Sequence, residues 1–383
     1  MPGSLAGRVP SLGEARLGTG PSGRVGRSPN KHSFLRASAE RCDSVHDSQH
    51  QQQQHMAHPA CGREGLPPAN GTHGLPASFT LVGLPDMEAA HFWLAFPLCA
   101  MYLVALVGNA TIALVVRAEP ALHAPMNLLL CMLAAVDLAL STCTMPKMLA
   151  LLWFDAREIG YGACLSQMFF IHSLSGIQST VLLAMAVDRY VAICHPLQHS
   201  AVLTRPVMAK VGLLAVARGV GFFLPLPLLI HRLAFCSPAN LTHSYCLHQD
   251  VMHLGSGNVT PNVVYGLTAI LLVMGLDSLL IFVSYAMIIR SVLRLPSREE
   301  RLRAAGTCVA HICVVLAFYV PLIGLSVVHR FGRNLPRLVQ VTMSNVYLLV
   351  PPVLNPLVYG ARTKEIRKRA LRMINMGRKG DPH

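Results

Sequence analysis

The chain has 383 residues, 52% of them hydrophobic and only 13% charged, with a formal net charge of +14. A soluble domain carries roughly a quarter charged residues, so this composition excludes a chain that is water-soluble throughout. The positive balance does not signal nucleic-acid binding, because the basic residues cluster beside apolar segments rather than along one soluble face. The eleven cysteines lack CxxC zinc spacing, and most lie inside apolar runs, where free Cys behaves as a small hydrophobe.

Residues 1–69 read as disordered: they are rich in Gly, Pro, Ser and Arg and contain the tract Gln49 to His55. No apolar core of a signal peptide is present there. The segment carries eight Lys/Arg, which disfavours its translocation. A start at Met56 leaves only Arg63 before the first span, opposed by Glu64, Asp86 and Glu88. Met56 is therefore expected to be the working start, with 1–55 an extension and 1–77 the extracellular N-terminus.

Seven apolar segments follow, at about 92–117, 126–152, 163–193, 207–231, 261–292, 302–329 and 338–360. Each is long enough to cross about 30 Å of hydrocarbon at ~1.5 Å per residue. The expected fold is all-α, a seven-transmembrane bundle over 78–360, with a basic cytoplasmic tail over 361–383 that includes a short amphipathic helix. Segments 117–125, 189–210, 290–303 and 361–383 hold 17 Lys/Arg together, whereas 153–162, 232–260 and 330–337 hold 5. The richer side is expected to be cytoplasmic and the N-terminus outside. Sequons at Asn70, Asn240 and Asn258 all fall on the expected outer side. A fourth, at Asn109, lies within the first span and is disregarded.

Asp188-Arg189-Tyr190 stands at the inner end of the third span, where a charged pair can border water and Arg can snorkel or change partners. The surrounding run, Met185-Ala186-Val187-Asp188-Arg189-Tyr190-Val191-Ala192-Ile193-Cys194-His195-Pro196-Leu197, resembles the odorant-receptor signature of the rhodopsin-like G-protein-coupled receptors. The likeness extends over nearly all of 78–376. It includes Gly108-Asn109, Asp137, Pro146-Lys147-Met148-Leu149, Ser284-Tyr285, Thr307-Cys308 with His311, Phe318-Tyr319-Val320-Pro321, and Pro352 through Tyr359. The runs Phe96-Pro97-Leu98-Cys99 and Ser244 to Asp250 resemble the class I, or fish-like, branch, which includes receptors for short-chain fatty acids.

The resemblance assigns roles that the chemistry supports. Asp137 is an intramembrane carboxylate that must face the interior, with Asn109, Asn355 and Ser141 as expected neighbours. Pro321 and Pro356 interrupt helix hydrogen bonding and allow inner ends to swing. The family uses that swing to open a cleft for a G protein, lined here by Arg189, Tyr359 and the basic run Arg290 to Arg303. Asp188, Arg189, Tyr190, Asn355, Pro356 and Tyr359 form the expected switch, and Asn109, Asp137 and Gln178 an interior polar site. The resemblance also implies a disulfide from Cys164 to Cys246. Cys236 has Ser256 where a second bridge partner is expected, so it is read as a free thiol or a lost bridge. The set His243, Cys246, His248 and His253 has metal-ligand chemistry, but it belongs to the family loop signature and Cys246 is claimed by the disulfide. No metal and no cofactor are expected.

His172 lies eight residues after Cys164, about 12 Å below the outer surface. Ser326 and Arg330 are one helix turn apart on a shared face. In class I receptors the residues matching His172, Gln249, Ser326 and Arg330 line the ligand cavity, with the Arg as counterion to an acid. Arg offers a planar fork for a carboxylate, and Ser and Gln supply the remaining hydrogen bonds. Snorkelling beside Arg333 and Arg337 is the plainer reading of Arg330. A five-heavy-atom acid gains at most ~7.5 kcal/mol, so affinities of tens of micromolar to millimolar are expected.

The sequence departs from the family at a few places. Gln178 replaces the usual acid, which puts a cation site shared with Asp137 in doubt. Val187, Ala310, Ala124 and Asn127 are milder changes. Arg218, inside the fourth span, receives no role, and His311 reads as a satisfied interior histidine. A transporter would favour internal repeats, and none is seen. An enzyme needs a reacting constellation, and there is no HExxH, GxSxG or paired-carboxylate site. The expected partners are a small odorant or short-chain fatty acid, a stimulatory G protein and membrane lipid, with no nucleic acid. The expected location is the plasma membrane, in cilia if the receptor is olfactory.

Overall fold

A computed structural model describes residues 76–84, 87–235, 239–331, 336–362, 367–369 and 371–372. Seven helices in it are long and apolar enough to cross a membrane: α1 (His91–Ala118), α2 (Pro125–Phe154), α3 (Tyr161–Cys194), α4 (Arg205–Ile230), α5 (Thr260–Leu293), α6 (Arg298–Phe331) and α7 (Arg337–Arg362). They coincide with the seven expected segments to within a few residues. Several ends are set by proline: Pro125, Pro206 and Pro261 occupy the first turns of α2, α4 and α5, where the missing N–H has no intrahelical acceptor to lose. Pro225 and Pro227 break α4 at Leu224, leaving a short final piece, Pro225–Ile230.

The third helix is central and packs against α2, α4, α5 and α6. Its contact with α4 is backbone-close. A Cβ on Gly219 would lie 2.6 Å from Ile177 Cγ1 and 2.7 Å from the Ser173 carbonyl, and one on Gly176 would lie 2.6 Å from the Phe223 ring. Small residues replace side-chain volume here, the usual way membrane helices gain contact when lipid supplies no hydrophobic drive. Large apolar residues such as Leu213, Leu214, Leu279 and Phe282 are left exposed on α4 and α5, as a lipid-facing surface requires.

At one end of the bundle the loops form two small sheets, which the all-α reading did not include. In the first, β1 (Ser78–Leu81) pairs antiparallel with β2 (Glu158–Gly160) and parallel with β4 (Asn240–Leu241). Phe79 and Leu81, alternate residues on one face of β1, are fully buried against the bundle. In the second, β3 (Ala234–Phe235) pairs with β5 (Gly255–Ser256). A two-turn loop helix, His248–Leu254, lies between β4 and β5. Cys164 at the start of α3 is disulfide-bonded to Cys246, fixing this loop over α3. Cys236 and Asn70 lie outside the described residues, as does the whole 1–55 segment.

At the opposite end, the tail is helical where described, at 367–369 and 371–372. Arg369 donates to Glu119 at 3.0 Å, tying the tail to the end of α1.

Candidate functional site

Under the disulfide-bonded loop, two histidines meet. His172 on α3 stacks on Phe223 of α4 at 5.9 Å between ring centroids, and the His248 ring stands edge-on to it at 6.3 Å. The Gly176–Phe223 contact, one turn along α3, places that aromatic ring. On α5, Gly266 has no side chain to exclude His248, whose ring lies 3.3 Å from where its Cβ would be. His172 Nε2 and Gln249 Oε1 are buried without a hydrogen-bond partner, while His248 and Asn262 face each other. Ser326, half-buried on α6, makes no hydrogen bond or ring contact to these histidines among the described residues. Arg330 lies in α6, but its side chain is outside the described residues.

The loop above is held by its own polar network. Asp250 accepts from Thr242 Oγ1 at 2.8 Å, from the His243 amide at 3.2 Å and pairs with His243 Nδ1 at 3.0 Å. Tyr245 donates to the Ser344 carbonyl of α7 at 3.1 Å, and the Cys246 amide donates to Gln167 Oε1 on α3. Of the loop's metal-type residues, Cys246 is therefore in a disulfide, His243 on Asp250 and His248 against His172. Burial would raise the Asp250 carboxyl, but hydrogen bonds from His243 and Thr242 carry it below its usual range.

Burial pushes the His248 imidazole down to about 4, with Asn262 opposing. The folded protein thus holds His248 neutral while the unfolded chain, near pKa 6.5, takes up a proton. Stability contributed by the neutral state is full above about pH 6.5 and falls as pH drops toward 4, at no more than about 1.4 kcal/mol per pH unit. Thermal unfolding between pH 7.5 and 4.5 is expected to show this slope, and His248→Asn to flatten it. An unchanged slope in the variant would assign the acid sensitivity elsewhere.

Midway down, Asp137 is fully buried and accepts from Asn355 Nδ2 at 2.7 Å and Gln178 Nε2 at 3.2 Å. The expected Asn109 contact is corrected: its amide donates to the Ala105 and Pro352 carbonyls, both at 2.8 Å, and not to Asp137. The cause is Pro356, which has no N–H for the carbonyl four residues before it, leaving the Pro352 oxygen to α1. Gly108 permits the approach, since a Cβ there would lie 2.7 Å from Pro356 Cβ. Ser141 is buried without a hydrogen bond to Asp137.

A second charged centre, absent from the sequence reading, lies where α3, α4, α5 and α6 meet. Arg218 of α4 donates to both oxygens of Asp277 on α5, at 2.8 and 2.7 Å, and to Thr180 Oγ1 at 3.0 Å. Its other nitrogen donates to the Leu272 and Val273 carbonyls. Those carbonyls belong to a π-helical turn, Leu271–Gly275, where the wider spacing disturbs the regular ladder and exposes acceptors. Ser179 donates to Asp277 at 2.7 Å and is 2.8 Å from the Tyr319 hydroxyl on α6. The signal for this centre was available: an Arg and an Asp in two otherwise apolar spans are each costly alone and affordable together.

At the end of the bundle opposite the sheets, Asp188 pairs with its neighbour Arg189 at 3.5 Å and with His199 at 3.1 Å. Tyr190 meets His195 at 3.3 Å. His311 of α6 stacks on Tyr285 of α5, with Nδ1 2.6 Å from the hydroxyl, which supports a partnered interior histidine. Arg189 Nε and the Tyr359 hydroxyl are buried without partners.

Comparison with known proteins agrees with this anatomy. A family model described as olfactory receptor matches residues 98–376. Olfactory receptor 51E2 of Homo sapiens is 64% identical over 307 residues, covering 80% of this chain and 95% of the relative. Its Mus musculus counterpart is equally similar over the same shares. Olfactory receptor 51E1 of Homo sapiens is 56% identical over 307 residues, 80% of this chain and 96% of the relative.

Proposed function

The chain belongs to the olfactory receptor family of G-protein-coupled receptors, in its class I branch, and from that premise we propose that it detects small carboxylic acids. Membership makes it a multi-pass membrane receptor for small odorants that acts through a G protein. The finer reading is that a short-chain acid binds beneath the loop, among His172, Gln249, Ser326 and Arg330, and that the receptor raises cAMP through a stimulatory G protein. What carries it is His172 Nε2, buried and unpartnered beside His248, a ring nitrogen that can donate to an ionised carboxylate. On this reading His172→Leu weakens the response to straight-chain acids about tenfold at matched surface expression, the loss of one hydrogen bond to a charged group. An unaltered dose–response curve would remove His172 from the site.

Signal passage would run from there past Asp137 and the Arg218–Asp277 centre to Arg189, Tyr190, Asn355, Pro356 and Tyr359. On this reading the N-terminus lies outside, which the 17-to-5 distribution of Lys/Arg and the exposure of Asn240 and Asn258 on the sheet-bearing end support. The plasma membrane, including cilia in olfactory cells, is the matching location. Gln178 keeps a hydrogen bond to Asp137 but brings no second charge. Gln178→Glu is expected to shift ligand-free cAMP at least twofold at equal surface expression, and identical basal levels would count against a role for this position in the switch.

A further inference from the structure

A crevice of about 350 Å³ opens between α1 and α7 at the sheet-bearing end, away from the His172 cluster. Leu94, Leu98 and Met101 form one wall and Leu338, Val346 and Leu349 the other. Among the described residues its polar lining is Thr342 and Asn345, one turn apart on α7. Asn345 is only 9% exposed, and its carboxamide oxygen is buried without a partner. Phe92, Trp93 and Phe96 stand exposed at the same end of α1, stacked edge to face. Such aromatic clusters mark the membrane–water boundary, so the span from Leu94 to Met101 reaches about 10 Å into hydrocarbon.

An acyl chain would fill these walls but leave the buried carboxamide oxygen unsatisfied. A hydroxyl can meet either end of an amide, as donor or as acceptor. We propose that this crevice is a second ligand site, which takes a small alcohol dissolved in the outer leaflet, its hydroxyl on Asn345 and its apolar body between α1 and α7. At about 30 Å³ per liquid-packed heavy atom the volume suits roughly twelve heavy atoms, too few for a two-tailed lipid. Ser344, the residue beside Asn345, receives the Tyr245 hydroxyl from the loop. An occupant that braces this turn of α7 therefore bears on the anchor that holds the loop over the histidines.

The test uses the full chain in phosphatidylcholine nanodiscs with a diazirine-bearing 1-decanol as photoprobe. Labelled peptides are expected within 94–101 and 338–350, with 1-decanol competing at least tenfold better than decane. Asn345→Leu should erase that preference while labelling persists. Thr342→Trp, a substitution at an exposed position on the crevice mouth that leaves the bundle interior untouched, should abolish labelling there. Labelling spread evenly over the lipid-facing surfaces of α4 and α5, or insensitive to Thr342→Trp, would overturn the site. Equal competition by decane would overturn its hydroxyl recognition.

Discussion

Asp277→Ala is expected to remove most of the receptor from the cell surface and to cost what remains about 3 kcal/mol of stability, the lower range for breaking a buried ion pair. The reasoning starts from what Arg218 would keep. It loses two charge-assisted hydrogen bonds to the carboxylate and retains only neutral acceptors, Thr180 Oγ1 and the Leu272 and Val273 carbonyls. Ser179 loses its acceptor as well and is left with Tyr319 alone. A guanidinium in that state, inside hydrocarbon, is far costlier than a paired one. Arg218→Met alone should do comparable damage by leaving the carboxylate unpaired. The double substitution Arg218→Met with Asp277→Leu removes both charges and should recover more than half of the loss, because a buried pair and an apolar replacement differ little in net stability. Thermal unfolding of the two singles and the double yields the coupling directly. Single variants indistinguishable from the parent would show that the centre does not hold the four helices together.

The seven spans were legible because each combines adequate length with few charges, and their ends because proline and clustered basic residues punctuate the chain. The strands were not. Runs of two to four residues carry too little alternation to register, and β1 exists only because β2 and β4, distant in sequence, come to lie beside it. The Cys164–Cys246 bridge and the Asp137–Asn355 contact followed from family resemblance and are present. Asn109 was assigned to the wrong partner, because the true acceptor is a backbone carbonyl freed by Pro356, and no side-chain pattern announces such a group. Arg218 drew notice as an anomaly and Asp277 drew none. Treating each ionisable residue in an apolar run as half of a pair would have joined them.

On the proposed reading, the largest effect within the ligand site is expected at Arg330. A guanidinium that grips a carboxylate through two parallel hydrogen bonds is the strongest single contact available to a five-heavy-atom ligand. Hydrogen bonds to charged groups contribute roughly 1.5–3 kcal/mol each, so truncation costs on the order of a hundredfold in potency. Arg330→Lys keeps the charge but not the fork, and should fall between the parent and the alanine variant. Longer acids should gain from apolar walls without altering this ordering, since the head group is common to the series.

The most direct measurement is cAMP production in cells expressing the full chain, challenged with straight-chain acids of increasing length and with the matching alcohols, beside Arg330→Ala at equal surface expression. The account predicts that acids activate and that the matching alcohols, which lack the carboxylate, do not activate on their own, with the acid response shifted about a hundredfold or lost in the variant. Equal acid responses in the two proteins would contradict Arg330 as the carboxylate anchor, and a well-expressed receptor silent to every acid would contradict the ligand class itself.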